Sequence, residues 1–182
     1  MERKERERFI EERLWRKDWR GLAAMNERPG LVFWRLIAML QSPDRRLALR
    51  AVVALGRFAA SLRPGEPNVT EAVKGLFWMM NDESGNLCRL APEAIAEILA
   101  ARPELRQSFA PLIPQYLLEE PFEAGALWAM LRLARAGHEW KPSDARGLAV
   151  SLRCDDPRRR RLAQRLAGKL GPEYHHKVTV VR

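Results

Sequence analysis

The clearest pattern along the chain lies in residues 42–62, SPDRRLALRAVVALGRFAASL. A turn signal, Ser42-Pro43-Asp44, is followed by apolar residues at spacings of three and four: Leu47, Ala48, Ala51, Val52, Leu55, Phe58, Ala59 and Leu62. This is one helical period, and its apolar sector is wider than a coiled-coil seam. The spacing therefore predicts a helix with neighbours on two sides. A shorter set before it, Phe33, Trp34, Leu36, Ile37 and Leu40, predicts a partner helix over 31–40. Pro29-Gly30 opens the resulting hairpin, and Pro64, Gly65 and Pro67 close it.

A related arrangement returns three times. Asn68, with Glu71 in capping-box spacing, predicts a helix start for the face Val69, Ala72, Val73, Leu76, Phe77 and Met80. After a turn over 81–85, the partner helix carries Leu87, Leu90, Ala91, Ala94, Ile95, Ile98 and Leu99. Pro92 in it marks either a first-turn position or a kink. The third unit begins with Phe109, Leu112, Ile113, Tyr116 and Leu117, where Pro111 and Pro114 confine or bend the helix. It turns at Glu119-Glu120-Pro121 and continues through Phe122, Ala126, Leu127, Met130, Leu133 and Ala134 to Gly137. In the fourth, Ser143 is the expected cap of a helix over 145–152. Asp155-Asp156-Pro157 makes the turn, and Leu162, Leu166 and Leu170 run to the stop Gly171-Pro172. The turns near Asp44, Glu83, Pro121 and Asp156 lie 39, 38 and 35 residues apart. Recurrence at a near-fixed period predicts a stacked array of helical pairs.

The flanks differ. Residues 2–20 interleave acids and bases and acquire apolar content only from Phe9 onward (Ile10, Leu14, Trp15, Trp19 and Leu22). They predict one charged helix capping the first repeat, or else an amphipathic arm for a partner. The tail 174–182 has β-branched Val178, Val180 and Val181 without helical period, leaving a strand, an extended tail and disorder open. The expected divisions are a capping helix at 1–28, a repeat domain at 29–171 and a tail at 172–182.

Several stretches resemble HEAT-like repeats, whose unit has an acidic turn, an early basic residue in the second helix, then alanines and a closing aliphatic-Gly pair. Asp44-Arg45-Arg46-Leu47 with Ala51 and Ala54-Leu55-Gly56 fits this pattern. So do Arg89, Ala91, Glu93, Ala94, Ile95, Ala96 and Ile98. A third copy is Asp155-Asp156-Pro157-Arg158 through Arg161, Leu162-Ala163 and Leu166-Ala167-Gly168. Residues 120–133 keep the alanines but lack the early Arg. The resemblance covers about 30–171. It implies an all-α, right-handed α-solenoid of about four HEAT-like hairpins, with first helices convex, second helices concave, and a role in binding macromolecules. Some members of the family are bilin lyases or DNA alkylation-repair glycosylases.

Composition narrows the function. The 182 residues suffice for one domain with a substantial core. No apolar run approaches the roughly 20 residues of a membrane span, and the MERKERERF start predicts no signal peptide, so a cytoplasmic protein without membrane partners is expected. Cys88 and Cys154 form no metal spacing. His138 sits at a helix end, where a cation suits the dipole, and the adjacent His175 and His176 make a poor chelate. Nucleophile-triad, P-loop and dinucleotide motifs are missing, and the aspartates sit where they cap helices. The expectation is no catalytic residue, no metal and no cofactor.

Charge is the remaining lead. The net charge is +9, with 26 Arg among the 32 basic residues. One reading is a solvated surface reflecting biased genome composition. The other follows from the second helices, where Arg45, Arg46, Arg50 and Arg57 begin the array and Arg158, Arg159, Arg160, Arg161, Arg165 and Lys169 end it. On a concave face they would attract an anionic partner. The expected partner-binding set is Arg50, Arg57, Arg89, Trp128, Arg132, Arg135, Arg160 and Arg161. Trp128 could serve as a hot spot or as filler between repeats. The expected function is a non-enzymatic adaptor for an acidic protein segment. Nucleic-acid binding by the same face is the alternative, and a lyase or glycosylase activity a more distant one.

Overall fold

The computed structural model describes residues 3–81, 87–145 and 147–171. The expected turn over 81–85, apart from Asn81, and the tail with His175 and His176 lie outside them. Ten α-helices and four short 3-10 turns make up the described residues, with no strand among them. They are α1 (Arg3–Arg16), α2 (Trp19–Ala23), α3 (Pro29–Met39), α4 (Arg45–Ser61), α5 (Pro67–Trp78), α6 (Ala91–Ala101), α7 (Arg106–Phe109), α8 (Glu123–Arg135), α9 (Leu148–Arg153) and α10 (Pro157–Leu170). Packing is between neighbours: α4 lies against α6, α6 against α8, and α8 against α10, while α3 packs on both α4 and α5.

The helix that the sequence marks most strongly is α4. Asp44 caps it, its carboxylate accepting from the Arg46 and Leu47 amides. Its buried residues include Leu47, Ala48, Ala51, Val52, Ala54, Leu55, Phe58 and Ala59. A burial sector this wide requires the several neighbours α4 has: α1, α2, α3 and α6. The Phe58 ring meets Phe33 of α3 edge-on at 5.1 Å. Toward α6 the contact is closer still. A Cβ on Gly56 would stand 2.7 Å from the Glu97 carbonyl oxygen, so a hydrogen at this position lets the two helix backbones meet.

Several local expectations need correction. The charged N-terminal segment is two helices. Lys17 adopts a left-handed φ of 53°, and Asp18 caps α2 through the Gly21 amide while pairing with Arg13. Asp18 thus offers the backbone an alternative to continuing α1. Both helices pack on α4. Glu66, not Asn68, caps α5, with Pro67 at the first position, where a missing N–H costs nothing. Asn68 instead donates its side-chain amide to Glu66. Pro92 occupies the first turn of α6, which removes the kink alternative. No regular helix forms around Pro111 and Pro114. Short 3-10 turns at Pro103–Leu105, Ala110–Leu112 and Pro114–Leu118 alternate with the single-turn α7. Each proline removes a donor and clashes with the preceding turn. This segment still buries Ile113, Tyr116 and Leu117, while Leu112 is exposed. Ser143 lies inside a 3-10 turn (Pro142–Ala145), and α9 starts later, at Leu148. Trp34, expected inside, is 54% exposed.

Other expectations stand. Asp156 caps α10 through the Arg158 amide. Gly137, at φ 85°, ends α8 in a paired cap: the His138 amide donates to Leu133 and the Gly137 amide to Ala134.

The Gly56 contact makes a paired prediction. Gly56→Ala should lower stability by about 1–3 kcal/mol, because backbone has to move. Gly75→Ala, in α5 with open space beside it, should raise it by about 0.5–1 kcal/mol. Urea unfolding followed by circular dichroism measures both, and equal effects would remove the close-approach account.

Candidate functional site: a basic cleft between α8 and α10

The arginines divide into two groups. The first serves the chain itself. Arg50 Nη1 donates to the carbonyls of Trp15 (2.8 Å) and Leu14 (3.3 Å) at the end of α1, and its guanidinium lies 4.8 Å from the Trp15 ring centre. Arg102, almost fully buried, donates to the carbonyls of Ala59 (3.1 Å) in the last turn of α4 and of Leu62 (3.5 Å) and Arg63 (3.1 Å) just after it, and pairs with Glu104. Arg106 reaches Leu99 and Ala100 at the end of α6 (2.8 Å each) and Ala136 at the end of α8 (2.9 Å). Arg160 donates to the Cys154 carbonyl at 2.7 Å, after α9. Arg159 joins three elements through Glu123 (2.9 Å), the Ser151 hydroxyl (3.1 Å) and the Leu117 carbonyl (3.4 Å). Helix C-termini leave carbonyls without intrahelical donors and carry partial negative charge, and a planar guanidinium can satisfy several at once.

Three of the sequence-predicted binding residues are therefore engaged within the chain. Arg50 and Arg160 hold carbonyls. Arg132 forms a two-pronged pair with Glu97, Nε to Oε1 at 2.9 Å and Nη2 to Oε2 at 3.1 Å, linking α8 to α6. Arg89 is exposed but precedes α6 instead of lying on it. Arg57, Arg135 and Arg161 are exposed, and no hydrogen bond or ion pair occupies their side chains among the described residues.

Trp128 is half-buried. It packs against the core and also lines a cleft of about 360 Å³ with Pro157, Arg158, Arg161, Leu162 and Arg165. Hot spot and filler were the alternatives for it, and its two faces fit both. Arg158 and Arg165 are missing from the sequence-predicted set, although positions 158, 161 and 165 fall on one helical face. A run of four consecutive arginines hides that face until the engaged Arg159 and Arg160 are removed from it.

Two carboxylates of α6 lie beside this system. Glu97 is neutralised by Arg132. Glu93 has an Oε2 shut off from solvent with no hydrogen-bond partner, facing Gly125 of α8. Burial pushes its carboxyl up to about 7, against a weaker opposing pull from Arg158. Near neutral pH the negative charge of α6 is therefore reduced, by the ion pair at Glu97 and by partial protonation at Glu93.

Other candidate chemistry is weak. The Cys88 thiol is pushed up to about 11 by burial, which suppresses the thiolate. His138 packs edge-on against Trp140 at 4.4 Å, and burial and Arg106 hold it below its usual range. It favours the neutral form, correcting the expectation of a helix-end cation. The described residues contain no group of three or more His, Cys, Asp or Glu able to hold a metal, and no helix long and apolar enough to cross a membrane.

No family model matches the chain. An uncharacterized protein of Archaeoglobus fulgidus is 39% identical over 75 residues, which is 41% of this chain. The matched stretch spans 38% of that protein's length.

Glu93 makes stability depend on pH. With its folded-state value raised from 4.5 to about 7, the folded protein holds the extra proton between these values. Its contribution to stability is then full below about pH 4.5 and declines as pH rises through 7. Glu93→Gln should flatten this decline in urea midpoints measured from pH 5 to 8. An unchanged pH profile would show that the carboxyl titrates normally.

Proposed function

We propose that this chain is a non-enzymatic binding module of HEAT-like helical hairpins, an α-solenoid whose second helices, α4, α6, α8 and α10, form one face that grips an acidic protein segment. The successive packing of these four helices and the near-regular spacing of their turns support the architecture. Two cysteines without a disulfide suit a reducing, cytoplasmic setting.

One observation carries the functional reading: the charges of the first helices α3 and α5 are paired, whereas the second helices keep several arginines without a partner beside those that are engaged. Arg35 of α3 pairs with Glu7, and Lys74 of α5 with Glu71. Arg45, Arg46 and Arg57 of α4, Arg135 of α8, and Arg161 and Arg165 of α10 are exposed without a partner among the described residues. Along α4, Arg46, Leu49, Val53 and Arg57 are all exposed at spacings of three and four, and α10 exposes Arg158, Arg161 and Arg165 in the same way. Unpaired guanidiniums with apolar residues between them favour a carboxylate-bearing polypeptide, since they offer both charge and dry contact area. Single-stranded nucleic acid would ask for a row of aromatic stacking platforms, and this face supplies Trp128.

The test compares polyanions of similar charge. Wild-type protein should retain polyglutamate at low salt. Reversing Arg57, Arg161 and Arg165 to Glu should weaken retention by about tenfold or more while leaving the melting temperature in place. Gel shifts with DNA and RNA at several salt concentrations give the contrary outcome. Strong nucleic-acid binding with a steep salt slope, and none of polyglutamate, would replace this reading.

A further inference from the structure

Three surface clefts compare differently with respect to charge. The one near the N-terminal end, lined by Phe9, Met25, Leu31 and Val32 among others, contains both Glu27 and Arg28. A second contains Glu27 and Glu66 against Arg63. In the cleft between α8 and α10 every charged lining residue is an arginine. Its remaining lining is apolar: the Trp128 indole, the Leu162 side chain and the Pro157 ring. The volume of about 360 Å³ sits near the lower end of ligand clefts, enough for a single large side chain rather than an extended ligand.

We infer that this cleft is an anchor pocket for one apolar side chain of an acidic peptide, with the carboxylates flanking that side chain held by Arg158, Arg161 and Arg165. The inference rests on the adaptor reading and adds a specificity to it. Charge complementarity selects the occupant. An apolar segment alone would leave three arginines without partners, and a purely acidic one would leave the Trp128–Leu162–Pro157 floor uncovered. Arg161 and Arg165 are four apart on α10, and Arg158 lies three before Arg161, so the guanidiniums follow the edge of the floor. A guanidinium accepts a carboxylate in two-pronged geometry while its stem lies on apolar surface. The pocket is held in shape by bonds outside its lining. Arg159 ties α10 to Glu123 of α8, and Asp156 caps the start of α10. A pre-formed cleft of this kind loses little freedom on binding.

The test uses two synthetic peptides of about a dozen residues, rich in Glu and Ser, identical except for a central Leu or Ser. Fluorescence anisotropy of labelled peptide at low salt reads the affinities. The Leu peptide should bind about tenfold tighter, the gain expected from burying one aliphatic side chain. Trp128→Ala should abolish that gain and leave the Ser peptide within about twofold of wild type. Leu162→Ser, from the opposite wall, should do the same, and serves if Trp128→Ala melts early. Arg161→Glu with Arg165→Glu should weaken both peptides. Equal binding of the two peptides by wild type, or a Leu advantage that survives both floor variants, overturns the anchor pocket alone. Failure to bind either peptide overturns the adaptor reading as well. Displacement of the Leu peptide by an oligonucleotide of equal charge at lower concentration assigns the cleft to nucleic acid instead.

Discussion

The interaction on which this fold depends is the guanidinium reaching a helix end. Arg50 secures the end of α1, Arg102 the end of α4, and Arg106 the ends of both α6 and α8. Each reaches the end of a helix to which it does not belong, so each link is also a tether between elements. Carbonyls at a helix C-terminus that face the protein interior must find donors. Where the following backbone does not supply them all, a side chain from a neighbouring segment can. Arginine suits this position because it stays charged, carries five N–H groups in a plane, and tolerates partial burial better than lysine. The Arg-rich composition of the chain is thus in part a structural requirement.

That requirement determines what is left for binding. Tethering withdraws Arg50, Arg102, Arg106, Arg159 and Arg160 from the surface, and the pair with Glu97 withdraws Arg132. The unpaired arginines remaining on α4, α8 and α10 lie on exposed positions. On α6 between them, Glu97 is compensated by Arg132, and burial raises the Glu93 carboxyl to about 7, so that near neutrality it carries only part of its charge. Exposed, unpaired arginines on α4, α8 and α10, beside a partly neutralised α6, result from these separate local causes. None of them requires a dedicated catalytic or metal-binding residue.

Much of the helical skeleton was legible in the chain because helix period and caps are local. Residues 42–62 announced α4 through spacing alone, Asp44 and Asp156 announced their caps, and Gly137 its stop. The sequence reading failed where two local rules competed. Glu66 and Asn68 both precede the same apolar face, and Pro67 decided between them. Pro111 and Pro114 stand in an apolar pattern that suits a helix, and their backbone chemistry prevented one. The candidate site was half legible. The gathering of arginines on α4 and α10 could be read, but which of them were available could not. Arg57 and Arg50 lie on the same helix, and only the position of α1 tells them apart. Arg102 and Arg106 carried no signal at all, since their carbonyl partners are up to 43 residues away.

The central claim, that arginines of this chain divide into those that fasten helix ends and those left free, is tested most directly by exchanging arginine for lysine. Charge is kept, and the multi-pronged geometry is lost. Arg102→Lys and Arg106→Lys should each lower unfolding free energy by about 2 kcal/mol, from charge-assisted hydrogen bonds lost in a partly buried setting. Arg57→Lys and Arg161→Lys should stay within about 0.5 kcal/mol of wild type. Urea denaturation of the four variants decides the matter. Equal losses across the two pairs, or no loss in either, would contradict the division.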